Sequence, residues 1–217
     1  KYEDAITWYD KALSIDRNNV LAMNNKGVAL ENLGKSEEAL TWFDKVLSID
    51  GNNAIAMNNK GIALDNLGKY QEALTWYDKA LYIDGNYTDA INNKGLALYN
   101  LGKYEDAITW YDKALAVDGN NTIVMNNKGI ALYNLGKSEE ALTLFDKVLA
   151  IDGNNIDAMN GKGLALAYLG KYEDAITWYD KALSIDGNYT DAMNGKGLAL
   201  AYLGKYEEAI TWFDEVL

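Results

Sequence analysis

Apolar and polar positions follow one another along this chain with helical spacing. Between residues 39 and 49 the apolar positions are Ala39, Leu40, Trp42, Phe43, Val46, Leu47 and Ile49. They fall at i, i+1, i+3, i+4, i+7, i+8 and i+10, a broad face on a 3.6-residue period. Upstream, Met23, Gly27, Leu30 and Leu33 mark one face of an earlier helix, with Val28 and Ala29 beside it. Gly34-Lys35 separates the two helices, and Asp50-Gly51-Asn52-Asn53 closes the unit. Asp-Gly-Asn is turn chemistry, and Gly51 is expected to take φ > 0 as a helix C-cap. Strand alternation is absent, so the pattern predicts an all-α chain.

The helix pair is repeated. The string K-Y-E-D-A-I-T-W-Y-D-K-A-L starts unchanged at Lys1, Lys103 and Lys171. Gly27, Gly61, Gly95, Gly129, Gly163 and Gly197 recur every 34 residues, and the Gly34 series does the same. A fixed period of this length is the signature of a solenoid. Residues 1–19 form the second half of a repeat. Full repeats follow at 20–53, 54–87, 88–121, 122–155 and 156–189, then a truncated one at 190–217. No linker interrupts them, so the expectation is a single solenoid domain over 1–217, whose last second helix ends at Leu217.

A 34-residue helix–turn–helix with Gly27, Leu30, Ala39, Phe43 and Val46 at these offsets resembles the tetratricopeptide repeat (TPR) family. There are departures. The family's aromatic early in the first helix is Met23, Met57, Met125, Met159 and Met193 here, and Ile91 once. The usual Leu before the first glycine is always Lys: Lys26, Lys60, Lys94, Lys128, Lys162 and Lys196. The proline of the inter-repeat turn is Gly51, Gly85, Gly119, Gly153 or Gly187, and Arg17 in the first half-repeat. The resemblance implies a right-handed superhelical solenoid of antiparallel helix pairs. It also implies that first helices line a concave groove for extended or helical peptides.

Two columns of the second helix speak to packing. Where it carries Tyr (Tyr9, Tyr77, Tyr111, Tyr179) the residue three later is Ala. Where it carries Phe (Phe43, Phe145, Phe213) that residue is Val. Positions i and i+3 share a face, so the exchange points to a tightly fitted, buried site. The Trp column (Trp8, Trp42, Trp76, Trp110, Trp178, Trp212, with Leu144 in the remaining repeat) reads as packing between repeats rather than as a ligand surface.

Composition narrows the chemistry. There is no Pro, where about 11 would be usual at this length. The absence of Cys and His removes disulfides, thiolate and imidazole metal sites and imidazole-based triads. No singular cluster of titratable groups stands out as a catalytic site would. No metal, no cofactor and no enzymatic activity are therefore expected. Leu33-Gly34-Lys35-Ser36 lacks the first glycine of a phosphate loop, because Ala29 stands there. Asp50-Gly51-Asn52-Asn53 lacks the spaced carboxylates of a calcium loop. Net charge is −12, which argues against nucleic acid and against anionic membranes as partners. No apolar run approaches a transmembrane span. The chain opens at Lys1 without Met and reads as an excised fragment; its compartment is open, with the cytoplasm favoured.

In the groove that the resemblance implies lie asparagine pairs: Asn24-Asn25, Asn58-Asn59, Asn92-Asn93 and Asn126-Asn127, then Asn160-Gly161 and Asn194-Gly195. An amide both donates and accepts, so such a row can hold a peptide backbone without reading its sequence. It resembles the asparagine ladder of the TPR superhelix in O-linked N-acetylglucosamine transferase. The alternative is that these amides bond neighbouring helices or water. The family's carboxylate clamp needs a polar residue after the first glycine; Val28, Ile62, Leu96, Ile130, Leu164 and Leu198 stand there instead. The groove is graded, from Glu31 and Asp65 through Tyr99 and Tyr133 to Tyr168 and Tyr202. Gly161 and Gly195, seven positions before Tyr168 and Tyr202, are expected to make room for those rings. Asp89, Asp157 and Asp191 add acid to the rim. The expected function is a protein-interaction scaffold for an extended basic or neutral peptide, with its aromatic pockets at the carboxy-terminal end. The alternative is a structural array that stacks head to tail through uncapped terminal helices.

Overall fold

The computed structural model describes residues 1–216. Leu217, where the sequence reading ends the last helix, lies outside the described residues. Thirteen helices and no strand occur among the described residues, so the fold is all-α. The contacts divide the chain into two compact units, Lys1–Val117 and Asp118–Leu217.

The first unit holds α1 (Tyr2–Ile15), α2 (Val20–Glu31), α3 (Ser36–Ile49), α4 (Ala54–Asn66), α5 (Tyr70–Ile83), α6 (Thr88–Asn100) and α7 (Tyr104–Val117). The second holds α8 (Thr122–Asn134), α9 (Ser138–Ile151), α10 (Ile156–Tyr168), α11 (Tyr172–Ile185), α12 (Thr190–Tyr202) and α13 (Tyr206–Asp214). Even-numbered helices are the first helices of their repeats and odd-numbered ones the second. Within each unit every helix packs on its chain neighbour, and first helices also touch the next first helix.

Local chemistry sets the boundaries. Within a repeat, Gly34 takes φ +72° after α2, and the Lys35 N–H bonds the Leu30 carbonyl at 2.9 Å. That six-to-one bond around a left-handed glycine terminates the helix. All six glycines of this series have positive φ, and no others do. The expectation for Gly51 is thereby corrected: the left-handed residue sits inside the repeat, not between repeats. Asp50 makes the inter-repeat turn. Its Oδ1 accepts from the Asn52 N–H at 3.3 Å and its Oδ2 from Asn53 Nδ2 at 2.9 Å. An Asx turn of this kind does not require a left-handed glycine. Asn53 then caps α4, accepting from the Ala56 N–H at 2.9 Å.

The core is the aromatic column. Phe43, Tyr77, Tyr111, Phe145 and Tyr179 are fully buried, as are their i+3 partners Val46, Ala80, Ala114, Val148 and Ala182. Each ring lies on the first glycine of its own repeat. A Cβ on Gly61 would stand 2.4 Å from the Tyr77 ring, closer than packed atoms approach. Tyr9 and Phe213 are only partly covered.

The invariant Lys acquires a structural role. Lys60 pairs with Asp44 of the preceding second helix and lies over the Trp76 ring of its own, 4.0 Å from the centroid. Lys79 covers the same ring at 3.7 Å. The arrangement recurs at Lys26–Asp10 with Trp42, Lys94–Asp78 with Trp110, Lys162–Asp146 with Trp178 and Lys196–Asp180 with Trp212. Lys60 keeps only 14% of its side-chain surface exposed. The column thus joins three successive helices by ion pair and cation–π contact; Trp42, Trp76 and Trp178 lie partly buried against the core, whereas Trp8 of the first half-repeat is exposed.

Candidate functional site

In the first unit the amides of the first helices satisfy one another. Asn59 Nδ2 donates to Asn24 Oδ1 at 3.0 Å, and Asn93 Nδ2 to Asn58 Oδ1 at 3.1 Å. Asn92 Nδ2 reaches Asn93 Oδ1 at 3.5 Å, and Asn58 is almost fully buried and also hydrogen-bonds Tyr87. Asn25 borders a cavity of ≈ 230 Å³ beside Tyr2 and Tyr9. Asn59 borders one of ≈ 280 Å³ with Glu31 and Ile62. Tyr99 leans on Tyr104 across the turn, with centroids 5.3 Å apart. Here the amides bond between neighbouring helices, the alternative that the sequence left open.

The acids of this unit are each engaged through one oxygen, while Glu31 Oε1 and Asp65 Oδ1 are buried without a partner. Glu31 Oε2 accepts from Asn66 Nδ2 at 2.7 Å and from Ser36 Oγ at 3.1 Å. Asp65 Oδ2 accepts from the buried Tyr77 hydroxyl at 2.6 Å. Burial raises the Asp65 carboxyl to about 6, against the lowering effect of that bond. The Tyr77 hydroxyl is pushed up by burial and then by the Asp65 charge. These carboxylates serve internal hydroxyls and amides.

The second unit differs. Its first helices α8, α10 and α12 share a cavity of ≈ 530 Å³. Asn126, Asn127, Asn160 and Asn194 all line it, with Asp157 and Asp191 at one end and Ile130, Leu164 and Leu198 at the other. Asn126 Nδ2 donates to Asn155 Oδ1 at 3.0 Å, but Asn126 Oδ1 and Asn160 Oδ1 are buried without a hydrogen-bond partner. The Tyr189 hydroxyl donates to Asp157 Oδ1 at 2.9 Å. Burial pushes that hydroxyl's pKa up first, then the Asp157 bond and the charges of Asp157 and Asp191.

A second cavity of ≈ 320 Å³ shares Leu164, Gly195 and Leu198 with the first. Tyr133, Tyr168, Tyr172 and Tyr202 line it. Tyr172 and Tyr202 stack with centroids 5.0 Å apart and planes 5° off parallel. Tyr133 and Tyr168 meet edge to face at 5.8 Å. Tyr133 has Ser138, not Tyr, across its own turn, so it leans on the next repeat. Gly161 and Gly195 do not serve Tyr168 and Tyr202 first, as the sequence suggested. A Cβ on either would stand 2.5 Å from the ring of the preceding second helix, Phe145 or Tyr179. The missing side chains let the repeats close on those rings.

Of the residues singled out from the sequence, Asn126, Asn127, Asn160, Asn194, Tyr133, Tyr168 and Tyr202 therefore border two adjoining cavities of one unit. Sequence reasoning left out Tyr172, Tyr189, Leu164 and Leu198. Tyr172 stands four positions after Tyr168, as Tyr104 stands five after Tyr99, but its stacking partner is Tyr202 of the next repeat, which the spacing does not show.

Two sequence patterns of one family match the chain. The pattern described as TPR repeat matches residues 1–34 and 95–136. That described as Tetratricopeptide repeat matches 19–86, 121–188 and 154–217. The chain belongs to the tetratricopeptide repeat family. Among solved structures, it is similar to YrrB, a TPR protein with an unusual peptide-binding site. The identity is 27% and the TM-score 0.63, over 87% of this chain and 97% of YrrB. A TPR protein from Parabacteroides merdae ATCC 43184 aligns with a TM-score of 0.82 and 20% identity, over 99% of this chain and 85% of its own. MamA from Desulfovibrio magneticus RS-1 aligns at 0.65 and 24% identity, over 75% and 92%. The last two show the TPR fold alone. No curated protein matches the chain. No helix among the described residues of this TPR chain is long and apolar enough to cross a membrane.

Proposed function

We propose that this chain is a non-catalytic scaffold that holds a peptide segment of a partner protein against its first helices, at the face formed by α8, α10 and α12. The observation that carries this is the pair of adjoining cavities there, lined by amides, leucines and tyrosines of successive first helices. Apolar Leu164 and Leu198 beside the amides supply surface to cover. The likeness to YrrB, a peptide-binding TPR protein, supports the class of ligand.

Selection of peptides from a displayed random library, against the intact chain and against Leu198→Glu, tests the reading. Leu198 is 54% exposed, so the change should leave the fold intact by circular dichroism. Enriched peptides that bind the parent and fail on Leu198→Glu are expected. Peptides indifferent to that change, or no enrichment, would contradict the proposal. Sedimentation velocity on the same samples reads self-association: concentration-dependent growth that persists in high salt would favour the stacking array.

A further inference from the structure

The face of α10 is graded along its axis. Asp157, Asn160, Leu164 and Tyr168 stand at i, i+3, i+7 and i+11, one stripe of a helix. On α12 the same order returns as Asp191, Asn194, Leu198 and Tyr202. No other first helix carries both ends of it. The matching stripes elsewhere end in Asn32, Asn66, Asn100 and Asn134, and begin with Leu21, Ile55, Asp89 and Ile123. The adjoining cavities follow the grading, with carboxylates at one end, amides and leucines between, and tyrosines at the other.

Each end has its own chemistry. The larger cavity is lined by two carboxylates and no cation. Neither Asp157 nor Asp191 has an ion-pair partner among the described residues; Asp157 takes only the Tyr189 hydroxyl. Asn160 is 6% exposed, lines this cavity, and has an Oδ1 without a partner. Two carboxylates with no cation beside them fit a group that donates N–H bonds and carries positive charge, such as an ammonium or a guanidinium. At the far end, Tyr168 is 62% and Tyr202 71% exposed, although both border a cavity. Ring faces left open beside an apolar floor suit an aromatic side chain.

We propose that α10 and α12 together select a bipartite segment: a Lys or Arg side chain held at Asp157 and Asp191, and an aromatic side chain held among Tyr133, Tyr168 and Tyr202. Eleven positions of helix separate the ends of each stripe, or about 16 Å at 1.5 Å per residue. An extended chain advances about 3.3 Å per residue, so the two side chains stand about five residues apart. This deepens the scaffold reading and rests on it.

The test is an NMR titration of the ¹⁵N-labelled chain, at physiological salt, with four synthetic peptides. The first is Ac-Gly-Arg-Ser-Gly-Ser-Gly-Phe-Gly-NH₂. The others replace Arg by Glu, replace Phe by Ser, or place Arg and Phe side by side. The first peptide is expected to shift amide signals at both ends of α10 and α12, and to bind about tenfold more tightly than the Glu peptide. Asp157→Asn with Asp191→Asn should abolish the preference for Arg over Glu. Tyr168→Ser with Tyr202→Ser should abolish the preference for Phe over Ser. All four substituted positions lie at this site, and the unperturbed spectrum of α9, which lends no residue to either cavity, serves as the check that each variant is folded. Equal binding of the Arg and Glu peptides on this face would overturn the inference and leave the scaffold reading standing. No shift of any first-helix signal with any peptide, together with no enrichment in the library selection, would overturn both.

Discussion

Asp65 should make the protein less stable at neutral pH than its amide would. Its carboxylate sits between α4 and α5, with Oδ2 bound to the Tyr77 hydroxyl and Oδ1 buried without a partner. Burial raises its pKa from 3.8 to about 6. The folded state therefore binds the proton more tightly than the unfolded state does. Above pH 6 both states are ionised and the full burial cost is present. As pH falls from about 6 to 4 the folded carboxyl protonates first, and stability is gained. Below pH 4 both are protonated and the contribution is flat. A rise from 3.8 to about 6 would correspond to about 3 kcal/mol for a fully buried group. Asp65 is only half-buried, so screening by solvent reduces this to about 1–2 kcal/mol. Asp65→Asn keeps an acceptor for Tyr77 and removes the charge. It should gain about 1–2 kcal/mol at pH 7, and this advantage should vanish near pH 4. Urea unfolding of both proteins from pH 4 to pH 8 gives the difference curve, in which the repulsion among the other acids largely cancels. Repeat arrays unfold with limited cooperativity, so amide exchange in α4 and α5 provides the local readout. If Asp65→Asn is the weaker protein at pH 7, the Tyr77 bond outweighs burial and the reasoning fails.

The two glycine series should respond in opposite ways. Gly34→Ala forces a side chain to φ +72° and should cost about 1 kcal/mol, whereas Gly51→Pro follows an extended Asp50 and should gain up to about 1 kcal/mol; thermal melts of both variants decide. Ala80→Val places methyls in a fully buried site against Tyr77 and should cost about 1–3 kcal/mol, with an unchanged melt as the contrary result. Lys60→Ala removes both the Asp44 pair and the cover of Trp76. It should cost about 1–2 kcal/mol and expose the Trp76 indole to iodide quenching; a silent variant would mean the column is ornamental.

The helical period and the 34-residue repeat made the helix pairs legible, because buried positions such as Ala39, Phe43 and Val46 recur with fixed spacing. The core pairing was legible too, since Tyr77 with Ala80 and Phe43 with Val46 vary together along one chain. What the sequence hid was partner choice. Lys60 stands alone in its repeat as a departure from the family, and only the structure brings it between Asp44 of one helix and Trp76 of another. The asparagines look equivalent along the chain. In space Asn58 and Asn59 bond their counterparts on adjacent first helices, while Asn126 and Asn160 keep buried oxygens without partners. A donor and its acceptor 35 residues apart are invisible to a periodicity argument, because every repeat offers the same choice. The glycine turns were misassigned for a related reason. Gly34 and Gly51 are the same residue, and the Asp50 side chain relieves only one of them of the left-handed conformation.

The central claim is that the first helices of the second unit form the binding face. Hydrogen–deuterium exchange of the intact chain, with and without the strongest peptide from the library selection, tests it most directly. The account predicts slowed exchange in α8, α10 and α12, greatest around Asn160 and Asn194, with α9 unchanged. Slowing confined to the second helices would place the ligand on the opposite face and contradict the account.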